Sequence, residues 1–139
     1  MKNNEISIDI ENGIISLQNP IIEKEDEHFI DKNHYKLISY ALLRIGDFPC
    51  KVHSYYKNNK LRFVNLVIDD QYLKDDYNTF TEMDYKNYLD KYIDYNRKKY
   101  NELLSSLIPN RKQNYQWGKI KVEMDPRDIF FYVSIKYYK

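Results

Sequence analysis

The sequence predicts an α+β fold, an antiparallel β-sheet of five to seven strands with one long α-helix packed across one face, and three observations predict it. Tyr85, Leu89, Tyr92, Ile93, Tyr100, Leu103, Leu104 and Leu107 recur at three- and four-residue intervals between Thr79 and Ile108, one helical stripe whose single polar interruption is Asn96. On both sides of that stretch, segments alternate apolar and polar residues with the two-residue period of a strand. The alternating segments meet at Asn-Gly, Asn-Asn and Asp-Pro steps, whose residues suit tight turns. A chain of 139 residues is one domain by size, so residues 1–139 are expected to form a single globular unit.

Taken in order, Ile6, Ile8 and Ile10 alternate with Glu5, Ser7 and Asp9, and Ile14 to Leu17 resumes the apolar pattern after Asn12-Gly13. Asn-Gly between two apolar runs predicts a β-hairpin, because both residues tolerate positive φ. Asn19 to Lys32, with Glu23, Glu25, Asp26, Glu27 and Asp31, reads as a solvated acidic loop. Tyr35 to Ile45 suits strand or helix, and the break at Gly46-Asp47-Phe48-Pro49 favours a strand. Phe48, Cys50, Val52, Ser54 and Tyr56 then alternate with Lys51, His53 and Tyr55, Asn58-Asn59 turns the chain, and Leu61 to Ile68 returns as a second strand.

Asp69 to Tyr77 reads as a polar loop leading into the helix. The helix start carries Thr79-x-x-Glu82, whose hydroxyl and carboxylate can satisfy orphan N–H groups, and Asp84 places negative charge where the helix dipole favours it. Pro109-Asn110 stops the helix. Tyr115 to Met124 reads as a strand, Asp125-Pro126-Arg127-Asp128 as a turn, and Ile129 to Tyr137 as the last strand. In this arrangement the helix covers Val52, Ile120, Val122, Phe131, Val133 and Ile135, and the opposite face keeps Tyr55, Phe130, Tyr132 and Tyr138.

Composition narrows the function. With 22 basic against 21 acidic residues, the charge balance argues against a generic binder of nucleic acid or anionic membrane. Cys50 is the single cysteine, so no intramolecular disulfide forms and a reducing cytoplasm fits best. No run approaches the ~20 apolar residues of a spanning helix, and the N-terminus lacks the apolar core of a signal peptide.

The residue types that carry chemistry do not converge in the sequence. Cys50-x-x-His53 on a strand points its side chains to opposite faces, and no second ligand pair supports a zinc site. The Asp69-Asp70 and Asp75-Asp76 pairs lack a glycine-rich phosphate cradle, and no nucleophile or dinucleotide motif is present. A non-enzyme without metal or cofactor is the expectation. Charge, however, is unevenly spread: eight acids face three bases from Asp69 to Asp94, whereas seven bases face one acid from Tyr95 to Lys121. Dipole complementarity accounts for helix ends but not for Asp69–Asp76, which precede the predicted helix. The functional reading is an acidic surface for a basic partner, built from Asp69, Asp70, Tyr72, Asp75, Asp76, Tyr77, Glu82 and Asp84.

Tyr115-x-Trp117-Gly118-x-Ile120-x-Val122-x-x-Asp125, followed by Val133-x-Ile135-x-Tyr137, resembles the ending of small bacterial immunity proteins of polymorphic or contact-dependent growth-inhibition toxin systems. Phe48-Pro49-Cys50, Tyr55-Tyr56 and the segment Asn58 to Leu61 are similar to the middle of such proteins. The resemblance implies a cytoplasmic protein that binds and neutralises a cognate toxin domain, and it carries no catalytic residues across; the acidic surface makes a basic nuclease the expected kind of toxin. A reading of another class is a nucleic-acid-binding protein that uses Arg97, Lys98, Lys99, Arg111, Lys112 and Trp117 around the basic helix end and the following loop.

Overall fold

The computed structural model describes residues 5–77, 85–108 and 112–138, with the backbone alone for 74–77 and 85. Among these residues, eight strands form one curled sheet: β1 (Glu5–Asp9), β2 (Ile14–Gln18), β3 (Ile22–Ile30), β4 (Asn33–Ile45), β5 (Phe48–Lys57), β6 (Lys60–Ile68), β7 (Gly118–Asp125) and β8 (Phe130–Tyr137). Their order is β2-β1-β4-β5-β6-β8-β7, with β3 pairing β4 beside that path. Between β6 and β7 lie α1 (Asp70–Tyr77) and α2 (Tyr85–Leu107). The expected α+β architecture holds, with α2 packed against β8, β7 and β4.

Three expectations are corrected. The acidic stretch read as a loop is strand β3, pairing Glu25↔Ile38 and Glu27↔Lys36, so the sheet has eight strands rather than five to seven. Periodicity could not show it, because residues on both its faces are largely exposed. Lys36 reaches Glu25 at 2.6 Å and Glu27 at 3.9 Å, and Lys24 reaches Asp26 at 3.5 Å. Acidic side chains on an edge strand also discourage pairing with another chain. Second, Asp69–Tyr77 is no loop: α1 occupies it from Asp70, anchored by Leu73, which is buried, and by Tyr72, whose ring meets Phe48 edge-on at 5.7 Å. Third, the strand expected from Tyr115 starts at Gly118, and residues 113–115 fold back on it, with the Tyr115 N–H donating to the Gly118 carbonyl at 2.8 Å.

The turns follow their residues. Asn58 and Asn59 both take positive φ, 52° and 66°, in the two-residue turn where Lys57 pairs with Lys60. The Asn58 side chain accepts from the His34 N–H at 2.9 Å and donates to the Asn33 side chain at 3.0 Å, which fastens this turn to the start of β4. The expected first hairpin forms: Asp9 pairs with Ile14 across a four-residue turn, in which only Gly13 has positive φ, 69°.

The core lies between the sheet and α2. Cross-strand register places Ile38, Ser54, Val64, Ile135 and Ile120 in one row, and Tyr40, Val52, Leu66, Val133 and Val122 in the next. Tyr100, Leu103, Leu104 and Leu107 of α2 cover these rows, and Tyr100 stacks on Phe131 at 5.9 Å. The Tyr100 hydroxyl accepts the Ile68 N–H at 2.9 Å, so the polar end of the ring is also satisfied inside. Asn96 is buried, and its side-chain amide donates to the Tyr92 carbonyl at 2.9 Å, one turn back along the helix. The first half of the stripe is looser: Leu89, Tyr92 and Ile93 are only half-buried. The predicted cap at Thr79–Glu82, Asp84 and the stop at Pro109-Asn110 fall outside the described residues.

Trp117 and Tyr137 join the first hairpin to the far edge of the curled sheet. The indole N–H of Trp117 donates to the Ile10 carbonyl at 2.7 Å, and the Tyr137 hydroxyl donates to the Gly13 carbonyl at 2.6 Å. Gly13 lies so close to the indole that a Cβ there would come within 2.3 Å of a ring carbon.

Candidate functional site

Side chains alternate across a strand, so the rows that face away from α2 form an open surface. Its middle row is polar: Ser39, His53, Asn65, Ser134 and Lys121 stand opposite one another on β4, β5, β6, β8 and β7. Ser39 Oγ and His53 Nδ1 are 2.9 Å apart. Burial, and next the nearby charge of Lys51, hold the His53 imidazole below its ordinary pKa, while Glu23 pulls the other way. A serine beside a histidine is the start of a nucleophile–base pair. Ser39 is itself buried, however, which denies its oxygen to a substrate arriving from solvent.

At one end of this surface, where β6 passes into α1, Asp69 and Asp70 line a small cleft of about 210 Å³ together with Lys51, His53, Val67 and Phe130. Neither aspartate takes part in an ion pair among the described residues. Phe130 stands 47% exposed beside them, and Tyr72, on the first turn of α1, is 42% exposed. Of the predicted partner-binding set, the structure thus brings Asp69, Asp70 and Tyr72 to one corner. The side chains of Asp75, Asp76 and Tyr77, and all of Glu82 and Asp84, lie outside the described residues.

At the other end a larger groove of about 610 Å³ opens. Its floor is a second cross-strand row, Leu37, Tyr55 and Phe63, with Asp26 at one end and Lys136 at the other. Tyr55 and Phe63 stack at 4.2 Å with their planes 20° apart. Tyr35 walls one side under Lys57, whose Nζ lies 5.9 Å from the ring centre. Arg62 reaches the rim from a register shift, where Tyr55 opposes Phe63 and Tyr56 opposes Leu61. Most neighbouring charges are spoken for. Glu123 holds Lys121 at 3.0 Å and Lys136 at 3.5 Å, and although burial pushes its carboxyl up, these two lysines more than offset that and keep it ionised to lower pH. Lys57 and Arg62 have no carboxylate partner among the described residues. Sequence reasoning placed Tyr55 on the open face but missed the groove, because Leu37, Tyr55 and Phe63 meet only through the register of three strands.

Other candidates resolve into structure. Cys50 is fully buried and burial raises its thiol to about 12, so it is a core residue and not a nucleophile. No group of three or more histidine, cysteine or carboxylate side chains among the described residues could hold a metal ion. Trp117, assigned above to base stacking in the nucleic-acid reading, packs instead on Tyr115 at 5.2 Å, on Tyr137 at 5.2 Å and on Gly13, with its N–H used internally. Arg111 of the same set falls outside the described residues. Among the described residues, no helix is long and apolar enough to cross a membrane. Comparison with family models, curated proteins and solved structures finds no match to this chain.

Proposed function

We propose that this chain is a non-enzymatic inhibitor: a bacterial immunity protein that binds and neutralises a cognate toxin domain in the cytoplasm, with the corner at Asp69, Asp70, Tyr72 and Phe130 as part of its toxin-facing surface. The observation that carries the reading is the composition of that corner, two aspartates without ion pairs among the described residues beside two exposed aromatic rings. Aromatic anchors supply binding energy at protein interfaces, while unpaired surface acids steer a basic partner into place. A nuclease is such a partner, since the surface that holds nucleic acid is cationic. The resemblance of the segments around Trp117 and Phe48 supports the same reading.

The test is the neighbouring gene. Co-expression with a toxin domain encoded immediately upstream is expected to give a complex that survives gel filtration and to protect cells that the toxin alone kills. A toxin that kills despite the chain, with the two proteins eluting separately, would reject the proposal.

A further inference from the structure

We propose that the groove on the open face is a binding site for a small aromatic anion, separate from the acidic corner. The two regions share no lining residue, and they lie at opposite ends of β5, near Lys51 and near Lys57. A volume of about 610 Å³ suits a small organic ligand, since such pockets usually span roughly 300–1,000 Å³. The floor selects the body of the ligand. Leu37, Tyr55 and Phe63 form a continuous apolar strip on rigid, hydrogen-bonded strands, and the stacked Tyr55–Phe63 pair offers ring surface to a planar apolar group.

The rim selects the charge. Lys57 and Arg62 bring two positive charges without carboxylate partners among the described residues, whereas Asp26, the acid of the lining, is engaged by Lys24 at 3.5 Å. Lys36, also in the lining, is held by Glu25 at 2.6 Å. An anionic group on the ligand would find the Arg62 guanidinium free for a two-point hydrogen bond, with Lys57 as a second positive charge. A cationic ligand would meet uncompensated repulsion there, and a neutral one would leave both charges unanswered.

A titration with 8-anilinonaphthalene-1-sulfonate, against its uncharged analogue N-phenyl-1-naphthylamine, tests the assignment on the whole chain. The sulfonate is expected to saturate one site and to bind about tenfold tighter than the neutral dye, as a charge-assisted hydrogen bond would provide. The double variant Lys57→Gln/Arg62→Gln should abolish that advantage and leave the neutral dye where it was. In a methyl spectrum of the native chain, the resonances of Leu37 should shift with the sulfonate while those of Leu42, exposed outside the groove, stay still. Equal affinity for the two dyes, sulfonate binding indifferent to the double variant, or shifts at Leu42 in place of Leu37 would each overturn the site. Because neither dye needs the toxin, failure here leaves the immunity reading untouched, and failure of that reading leaves this one standing.

Discussion

The two faces of one sheet, built from the same strands, differ in what their residues are for. On the covered face, Val52, Val64, Leu66, Val133 and Ile135 are all buried under α2, and each row is apolar except for Ser54. On the open face the rows alternate in character: Ser39, His53, Asn65 and Ser134 make a polar spine, flanked by the Leu37–Tyr55–Phe63 groove at one end and the Asp69–Asp70 corner at the other. One face therefore carries stability and the other is free to carry recognition. Substitutions on the first should show up in unfolding, and substitutions on the second in binding.

The largest effect should come from the covered face. Leu103 is fully buried, so Leu103→Ala should cost about 2–5 kcal/mol through lost burial and the cavity left behind. A urea midpoint equal to that of the native chain would break the contrast outright. Next comes the start of β7, where a Cβ on Gly118 would stand 1.9 Å from the Lys136 carbonyl oxygen. Gly118→Ala must therefore push β7 off β8, at about 1–3 kcal/mol or more. Because Trp117 adjoins that point, the near-UV signal of the indole should change with it, and an unaltered spectrum and melting temperature would argue against this close approach.

These two sites also show how much was legible beforehand. The helix, the central hairpin and the identity of the core came directly from spacing, because Leu103, Val52 and Ile135 obey periods of 3.6 and 2 that burial imposes. Trp117-Gly118 was legible as a motif, but its packing partner was not. The register of β7 with β8 is regular, and the ring lies on the turn at Gly13. A contact between residues 107 positions apart leaves no local trace in the sequence. Strand β3 was illegible for the opposite reason, since exposure of both its faces removes the alternation that marks a strand. The acidic corner was partly legible: charge density pointed to Asp69 and Asp70, but it disguised α1 as a loop, because Leu73 is the only aliphatic anchor in that segment. The groove was hidden for lack of register.

A smaller effect sits on the polar spine. The His53 imidazole is held below its ordinary value of 6.5, first by burial and then by Lys51. The unfolded chain thus binds its proton at higher pH than the folded one, so stability is complete above pH 6.5 and falls as the pH drops from 6.5 towards the folded value. The ring is only half-buried, and solvent screening should limit the loss to about a few tenths of a kcal/mol. Urea midpoints for His53→Gln across this window should be flatter with pH than those of the native chain, and parallel curves would assign the slope to other groups.

The division of labour between the faces is tested most directly at the acidic corner, by the rate at which the chain associates with the proposed toxin domain across a salt series. Changing Asp69, Asp70, Asp75 and Asp76 together to Asn should slow association by about tenfold at low salt, because negative charge in this segment of the sequence steers the encounter with a basic partner. The difference should shrink as the Debye length falls to ~8 Å or less. The melting temperature should hardly move, since Asp70 is exposed, Asp69 is only half-buried, and such charges contribute little to folding. An association rate identical to that of the native chain at every salt concentration would contradict the assignment of this corner to recognition.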